Sequence, residues 1–148
     1  MTLARVEEVL AWRWPETKIE PSLARISHLA TLLGDPHLAY PVIHVTGTNG
    51  KTSTSRMIEA LLRDMGLRTG LVTSPHLHHI TERIRLDGDP ISEERFVEAY
   101  DEIEPYLAIV DEASIAAGGP AMSYFEVVTG LAFAVFADAP VDVAVIEV

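Results

Sequence analysis

Apolar side chains recur along this chain at two spacings, which predict helices and strands in alternation. Steps of three and four residues predict helices at 4–12, 22–33, 51–65, 92–107 and 124–137. Short β-branched runs predict strands at 42–45, 68–73 and 141–148. We expect the third helix to pack into the core with the apolar stripe Met57, Ile58, Leu61, Leu62 and Met65. Because helices alternate with strands after residue 42, the pattern predicts an α/β fold with parallel strands.

A glycine-rich turn at 46–50 follows the first strand, which we expect to be buried, and precedes a helix that opens near Lys51. Gly47 and Gly50 let the backbone bend and approach a ligand without a Cβ in the way. The first N–H groups of the helix and its positive dipole end attract an anion. Lys51 adds a mobile positive charge for terminal phosphates, and the Thr52 hydroxyl is placed to bind a bridging magnesium ion. The predicted nucleotide-binding residues are Gly47, Thr48, Asn49, Gly50, Lys51, Thr52 and Ser53.

The last predicted strand carries two acids in an apolar run, Asp142 and Glu147. In P-loop proteins, a strand beside the phosphate-loop strand often ends in an acid that holds magnesium. Glu147 fits that role, because a carboxylate buried in an apolar strand without a cation partner is costly. Asp142 is interpreted as an edge or strand-entry residue.

Residues 74–90 show no periodicity, so we expect a long loop that covers the nucleotide or its co-substrate. His76, His78 and His79 could form part of a zinc site, but a solvated or hydrogen-bonded loop is favoured because no other ligand set stands at matching spacing. Arg83 and Arg85 are either contacts for phosphate or carboxylate groups or ordinary surface charges.

A capping box precedes the last helix, where Ser123 and Glu126 stand three residues apart. The box gives Glu126 a structural explanation, so no chemistry is assigned to it. Ser92 similarly caps the preceding long helix, whose first turn carries two glutamates.

Composition narrows the possible functions. Eleven basic residues against 22 acidic ones give a net charge of −11, which argues against a nucleic-acid groove, since such grooves need clustered Lys and Arg. No cysteine is present, which excludes disulfides and thiolate metal sites and suits a cytoplasmic protein. No uncharged apolar run approaches the ~20 residues that span a bilayer, so no membrane partner is expected. A chain of 148 residues is expected to form one domain.

Several motifs resemble those of the folylpolyglutamate synthase and dihydrofolate synthase family, within the Mur ligase superfamily. They stand in the family's order at residues 45–53, 73–77, 82–85, 87–92 and 123–126. Val45 occupies the position of the first glycine in the common P-loop, and the tighter turn is unlike those of kinases and GTPases. The resemblance implies a P-loop NTPase-like, mostly parallel sheet flanked by helices, as in the ATPase domain of Mur ligases.

The resemblance also implies where the chain belongs in such an enzyme. It would be the amino-terminal part of the ATP-binding domain, with a helical lead-in at 1–39, and would be incomplete at its C-terminus. The rest of the sheet and a glutamate-binding domain would follow Val148. We therefore expect these residues alone to be inactive and the enzyme to be a monomer.

The implied reaction belongs to folate biosynthesis and one-carbon metabolism. A folate or dihydropteroate carboxylate takes the γ-phosphoryl group of ATP, and the amino group of L-glutamate attacks the acyl phosphate. Lys51 would be catalytic at the phosphates, while Thr52, Ser74 and Glu147 would hold Mg²⁺ directly or through water.

The resemblance further implies pterin binding near Ser123, Phe125, Ile19 and Arg25, with His76 and Arg83 as loop candidates. A structural interpretation is equally open for two of them, with Ser123 as a cap and Phe125 as core. Two other functions remain possible, namely another Mur-type amino-acid ligase and a P-loop ATPase without ligase activity. Ligase chemistry would release phosphate only when folate and glutamate are both present.

Overall fold

The computed structural model describes residues 1–15 and 22–148 and divides the chain into two compact units, which we describe separately. Unit 1 comprises residues 1–37 and 94–134, and unit 2 comprises 38–93 and 135–148. The helices are α1 (Leu3–Ala11), α2 (Ala24–Leu32), α3 (Lys51–Asp64), α4 (Glu93–Ala116) and α5 (Tyr124–Asp138). The strands are β1 (Val42–Val45), β2 (Thr69–Val72), β3 (Ile84–Leu86), β4 (Asp89–Pro90) and β5 (Val143–Glu147). The expectation of one domain stays a prediction.

Unit 1 is helical, and its helices bury part of the periodic apolar positions: Val6, Leu10 and Leu29 are completely buried, whereas Leu23 is 78% exposed. α4 turns Phe96, Ile103 and Leu107 into the core, as their spacing predicts. At the start of α2, Ser22 Oγ accepts the Ala24 N–H at 3.1 Å, although Leu23 rather than Ser22 occupies the capping position. The core of unit 1 is therefore a set of apolar helix faces.

Unit 2 is built on a five-stranded sheet of order β1-β5-β2-β3-β4. β1, β5 and β2 are parallel, with β5 in the middle, while β3 and β4 are antiparallel additions. The predicted α/β fold with a mostly parallel sheet is confirmed by the match to solved structures given below. The parallel part places the ends of β1, β2 and β5 along one edge, where open α/β sheets bind ligands.

The expected long loop at 74–90 is wrong in its second half. Residues 80–83 form a 3-10 helix, and β3 and β4 then make a hairpin. β3 also pairs with β2, where Ile84 lies opposite Val72. Asp87 and Gly88 turn the chain with φ angles of 51° and 88°. Strands of three and two residues are too short to show a period, which is why the pattern gave no signal.

The outer face of α3 corrects a second expectation. Met57, Leu61 and Met65 are 60%, 66% and 73% exposed, so the predicted core stripe largely faces outward. The buried face carries polar residues instead, with Ser55 Oγ donating to the Lys51 carbonyl at 2.7 Å. Ser55 therefore lets the helix approach the sheet closely while its hydroxyl stays satisfied.

Glu59, also on the buried face of α3, is held by hydrogen bonds. Arg63 Nε and Thr69 Oγ1 donate to it at 2.9 and 2.8 Å. Burial opposes its ionisation, yet the two donors together keep the pKa of Glu59 below its ordinary value. The buried charge is thus compensated within unit 2.

β1 was expected to be buried, but it lies at the sheet edge and is half-exposed, with Val42 and His44 open to solvent. Among the strands of the described residues, it pairs with β5 alone. By contrast, β2 is buried throughout, and a Cβ added to Gly70 would lie 2.7 Å from the Phe136 ring.

None of the helices in the described ranges combines the length and hydropathy of a membrane-spanning segment.

Candidate functional site

The predicted phosphate loop forms the turn between β1 and α3. Gly50 stands at the capping position of α3 in the left-handed conformation, with φ 71° and ψ 8°. Gly47 has a φ of 144°, a conformation that also favours glycine. α3 begins directly at Lys51, so its first N–H groups face the turn as anion donors. The local geometry fits a phosphate cradle.

Thr52 and Glu147 meet beside this cradle. The parallel register pairs Val45, the last residue of β1, with Glu147, the last of β5. Thr52 Oγ1 lies 2.9 Å from both Glu147 carboxylate oxygens, and its single proton can bond to only one of them at a time. Glu147 is 1% exposed and forms no ion pair with any residue that the structure describes. A buried carboxylate beside a hydroxyl is an oxygen donor set that suits a hard cation.

The other cradle residues are placed near the same edge of the sheet. Lys51 Nζ donates to the Val148 carbonyl at 2.9 Å, at the end of β5. Ser74 follows β2, in which Val72 pairs with Ile146 of β5. The magnesium candidates Thr52, Ser74 and Glu147 therefore all belong to the carboxyl ends of parallel strands or to the helix that follows one. Across the described ranges, no three histidine or carboxylate side chains gather as a metal cluster.

The segment after β2 is held by one carboxylate. Glu82 accepts the N–H groups of Leu77, His78 and His79 at 3.0, 2.9 and 2.8 Å. These bonds to the ionised form lower the pKa of Glu82 to about 2. Sequence inspection assigned no role to Glu82, whose partners are backbone groups that leave no residue pattern.

The two loop candidates contact each other, since Arg83 Nε donates to His76 Nδ1 at 2.9 Å. Arg83 is buried, so the alternative of an ordinary surface charge does not describe it. The structure thus makes these side chains an internal support of the segment.

The pterin candidates of unit 1 meet at the start of α5. Glu126 N donates to Ser123 Oγ at 3.0 Å and Ser123 N donates to Glu126 at 3.1 Å, which is the predicted capping box. Arg25 Nε also donates to both Glu126 oxygens, at 3.0 and 3.2 Å. Phe125 is half-buried beside them, while Ile19 lies outside the described residues. Glu126 therefore does more than the cap that its sequence position suggested.

Arg25 also lines a cleft of about 330 Å³ in unit 1 with His28, Val110 and Ala113. The cleft is partly open to solvent and has both polar and apolar walls. Its volume lies at the lower end of the range for small-molecule sites.

Comparison with known proteins shows what this chain is similar to. Residues 45–89 match the Mur ligase middle domain. The dihydrofolate synthase/folylpolyglutamate synthase of Mycobacterium tuberculosis is 58% identical over 99% of this chain, which spans 31% of that protein.

Two solved structures agree with this match. The Mycobacterium tuberculosis folylpolyglutamate synthase complexed with ADP superimposes with a TM-score of 0.93 at 56% identity, over 99% of this chain and 32% of that one. An FPGS–AMPPCP–folate complex gives a TM-score of 0.86 at 34% identity, over all of this chain and 35% of that one. The chain spans about a third of the length of these relatives. The resemblance predicted from its motifs is thereby confirmed: the chain is similar, over almost its whole length, to a third of a folylpolyglutamate synthase of the Mur ligase superfamily.

Proposed function

We propose that this chain forms the phosphate-binding part of an ATP-dependent ligase that adds L-glutamate to a folate or dihydropteroate carboxylate. The contact between Thr52 and Glu147 beside the phosphate turn carries the proposal. Relatives are named as folylpolyglutamate synthases, and one was solved with ADP and another with AMPPCP and folate. A cytoplasmic location is part of the same proposal.

Lys51 and the N–H groups that open α3 would hold the β- and γ-phosphates of ATP. The Lys51 ammonium reaches the end of β5, where it donates to a carbonyl, so a phosphate oxygen near that position could accept the same proton. These groups stabilise charge that develops as the γ-phosphoryl group transfers. The task of the protein is mainly positioning, because phosphoryl transfer needs little covalent help.

Thr52, Glu147 and Ser74 would hold Mg²⁺, directly or through water. The described residues fit a hard cation, since Glu147 is a buried carboxylate with the Thr52 hydroxyl beside it. Bound magnesium would offset charge on the phosphates and orient them. One carboxylate and two hydroxyls suffice, because magnesium usually keeps several waters and phosphate oxygens as ligands.

The acid substrate would bind near Ser123, Phe125, Ile19 and Arg25, with Ser123 and Phe125 in direct contact. The half-buried Phe125 ring can stack on a flat pterin, and Ser123 can offer a hydrogen bond beside its capping contact. Transfer of the γ-phosphoryl group to the carboxylate would give an acyl phosphate and ADP. Attack by the glutamate nitrogen would form the amide, release phosphate and lose one proton from the amine.

The test is phosphate release by the full-length protein that the gene encodes, with MgATP and with a pterin acid and glutamate added singly and together. We expect release only when both are present. Lys51→Met should lower kcat by about 10²–10³-fold, the cost of losing one preorganised charge donor. Arg56→Met, an exposed cation on the same helix, is the matched control and should retain full activity.

Other outcomes distinguish the remaining candidates. Release with ATP alone, unaffected by pterin and glutamate, would contradict the ligase and leave a P-loop ATPase. Release that requires a cell-wall nucleotide precursor instead of a pterin would assign the chain to another Mur-type ligase.

A further inference from the structure

The turn at 121–126, which leads into α5, is held by residues from the chain just after α1, from α2 and from α4. Trp14 Nε1 donates to the Ala121 carbonyl at 2.7 Å. The Trp14 carbonyl accepts the Tyr124 N–H at 3.1 Å. One residue therefore fixes both ends of a four-residue stretch.

An ion pair fixes the middle of the same turn. Arg13 Nη1 donates to the Met122 carbonyl at 3.0 Å, and Asp111 Oδ1 accepts the Met122 N–H at 2.8 Å. Arg13 and Asp111 also bond to each other, at 2.9 and 3.3 Å, and both side chains are largely buried. Both backbone groups of Met122 are thus bound to a charged partner.

A second ion pair fixes the start of the helix. Arg25 is 7% exposed, donates to both oxygens of Glu126, and lies 5.4 Å from the centre of the Trp14 ring. The Glu126 carboxylate in turn accepts the Ser123 N–H. The Trp14 indole therefore binds the Ala121 carbonyl and also contacts the Arg25 guanidinium that orients Glu126.

These contacts exceed what a helix start requires. A capping box alone satisfies the first N–H groups of α5, and Ser123 with Glu126 already supplies it. The additional contacts come from two ion pairs and an indole. Because these groups lose solvation on burial, they add little net stability and mainly hold the turn in one geometry. The two residues inside this framework that the proposed function uses are Ser123 and Phe125.

We propose that Trp14 and Arg25 are positioning residues that fix the 121–126 turn so that Ser123 and Phe125 meet the pterin acid in one orientation. This inference rests on the proposed function, because it takes the pterin to be the ligand of those two residues. A turn fixed before binding spares the complex the cost of ordering it, and small displacements of a positioned group lower affinity strongly. Neither Trp14 nor Arg25 needs to take part in phosphoryl transfer.

The experiment compares two variants of the full-length protein in steady-state ligation. Arg25→Met removes the charge that orients Glu126, and Trp14→Phe keeps a ring beneath Arg25 while deleting the indole N–H. Each should raise the KM for the pterin acid by about 10-fold or more, with the KM for ATP unchanged and kcat within about threefold. Arg25→Lys should recover part of the affinity, because an ammonium restores charge without the planar fork.

Arg5→Met is the matched control, because it removes an arginine from an ion pair with Glu8 that is more than half exposed on both sides. It should leave every kinetic constant unchanged. Thermal melting of all variants shows whether each one is folded. If Arg25→Met does not fold, Trp14→Phe decides the question.

Each alternative outcome has a distinct meaning. A wild-type enzyme that requires the pterin, with both variants retaining its KM, would overturn the inference and leave the proposed function standing. Variants that lose stability and raise all three substrate KM values together would also overturn it, since that is the effect of a merely structural role. A wild type indifferent to pterins would overturn both.

Discussion

At the scale of single residues, the decisive side chain is Glu147. It ends the central strand of the sheet, it is almost completely buried, and the hydroxyl of Thr52 is its hydrogen-bond partner. Burying a carboxylate without a cation is costly, so a residue in this position is expected to favour the binding of a metal ion. Its place at the end of a strand beside the phosphate loop was predicted, because a strand-ending acid there is a motif with a mechanism, while its role as a magnesium ligand stays a prediction.

Glu147→Gln tests this preference directly. Without magnesium, the variant should melt at the same temperature as the parent or higher, because the amide removes a buried charge and still accepts from Thr52. The increase in melting temperature that Mg²⁺ with ADP gives the parent should be lost. Both effects are measured by thermal unfolding with and without the two ligands.

Glu7→Gln, an exposed position on α1, is the control for the change from acid to amide. It should leave both melting temperatures unaltered. A Glu147→Gln protein that keeps the full magnesium-dependent increase would show that this carboxylate does not hold the ion.

At the scale of elements, the segment after β2 depends on the ionised form of Glu82. Its pKa is lowered to about 2 from 4.5, so the folded state holds the carboxylate charged where the unfolded chain begins to protonate it. The stabilisation is therefore complete above pH 4.5 and is lost as the pH falls from there to about 2. The three N–H groups of 77–79 lose a charged acceptor over that range.

Glu82→Gln should consequently melt below the parent by an amount that depends on pH. The difference in melting temperature should be constant above pH 4.5 and should shrink toward zero near pH 2. Comparing the two proteins cancels the protonation of other acids, which is common to both. The control is Glu98→Gln, on the exposed side of α4, whose difference from the parent should be small at every pH. A Glu82→Gln difference that stays constant down to pH 2 would contradict this account.

The packing of α5 on β2 gives a second prediction at this scale. Gly70→Ala would place a methyl group 2.7 Å from the Phe136 ring, and should destabilise the fold by about 1–3 kcal/mol, measured by chemical denaturation. Adding Phe136→Leu should recover part of that loss, because the smaller side chain vacates the space. Gly130→Ala is the matched substitution, and it should cost less, since its contact is with the flexible end of Leu29 and alanine favours the helix. Equal losses at both glycines would contradict the steric explanation.

Elements were predictable where their signal is local. The spacing of Phe96, Ile103 and Leu107 in α4 and the Ser123–Glu126 box each lie within a few turns of one helix. The prediction that the apolar stripe of α3 packs into the core was wrong. The helix carries both an apolar stripe and a stripe of small polar residues, and the pattern alone does not show which of them packs on the sheet. The β3–β4 hairpin gave no periodic signal at its length.

At the scale of the whole molecule, the contacts that sequence reasoning missed join distant parts of the chain. Arg25 and Glu126 are 101 residues apart, and Arg13 and Asp111 are 98 apart. No spacing rule connects such positions, so only a folded chain reveals them. Thr52 and Glu147 are 95 apart and were nevertheless paired in advance, because each belongs to a motif with its own place at the sheet edge. The meeting of two motif residues can thus be predicted across the chain, whereas the contacts that support a site structurally cannot.

The exposed methionines on and just after α3 also allow the unfolding of this protein to be followed by methionine oxidation. Peroxide converts an accessible methionine to its sulfoxide, and Met57 and Met65 present their thioethers to solvent while Met122 is completely buried in unit 1. Mass spectrometry should find the first two oxidised rapidly and Met122 intact under native conditions. Oxidation of Met122 should begin only in denaturant, as the turn around it opens. The fraction of oxidised Met122, compared with the oxidation of the exposed Met57 on α3, would therefore report how far unit 1 has unfolded.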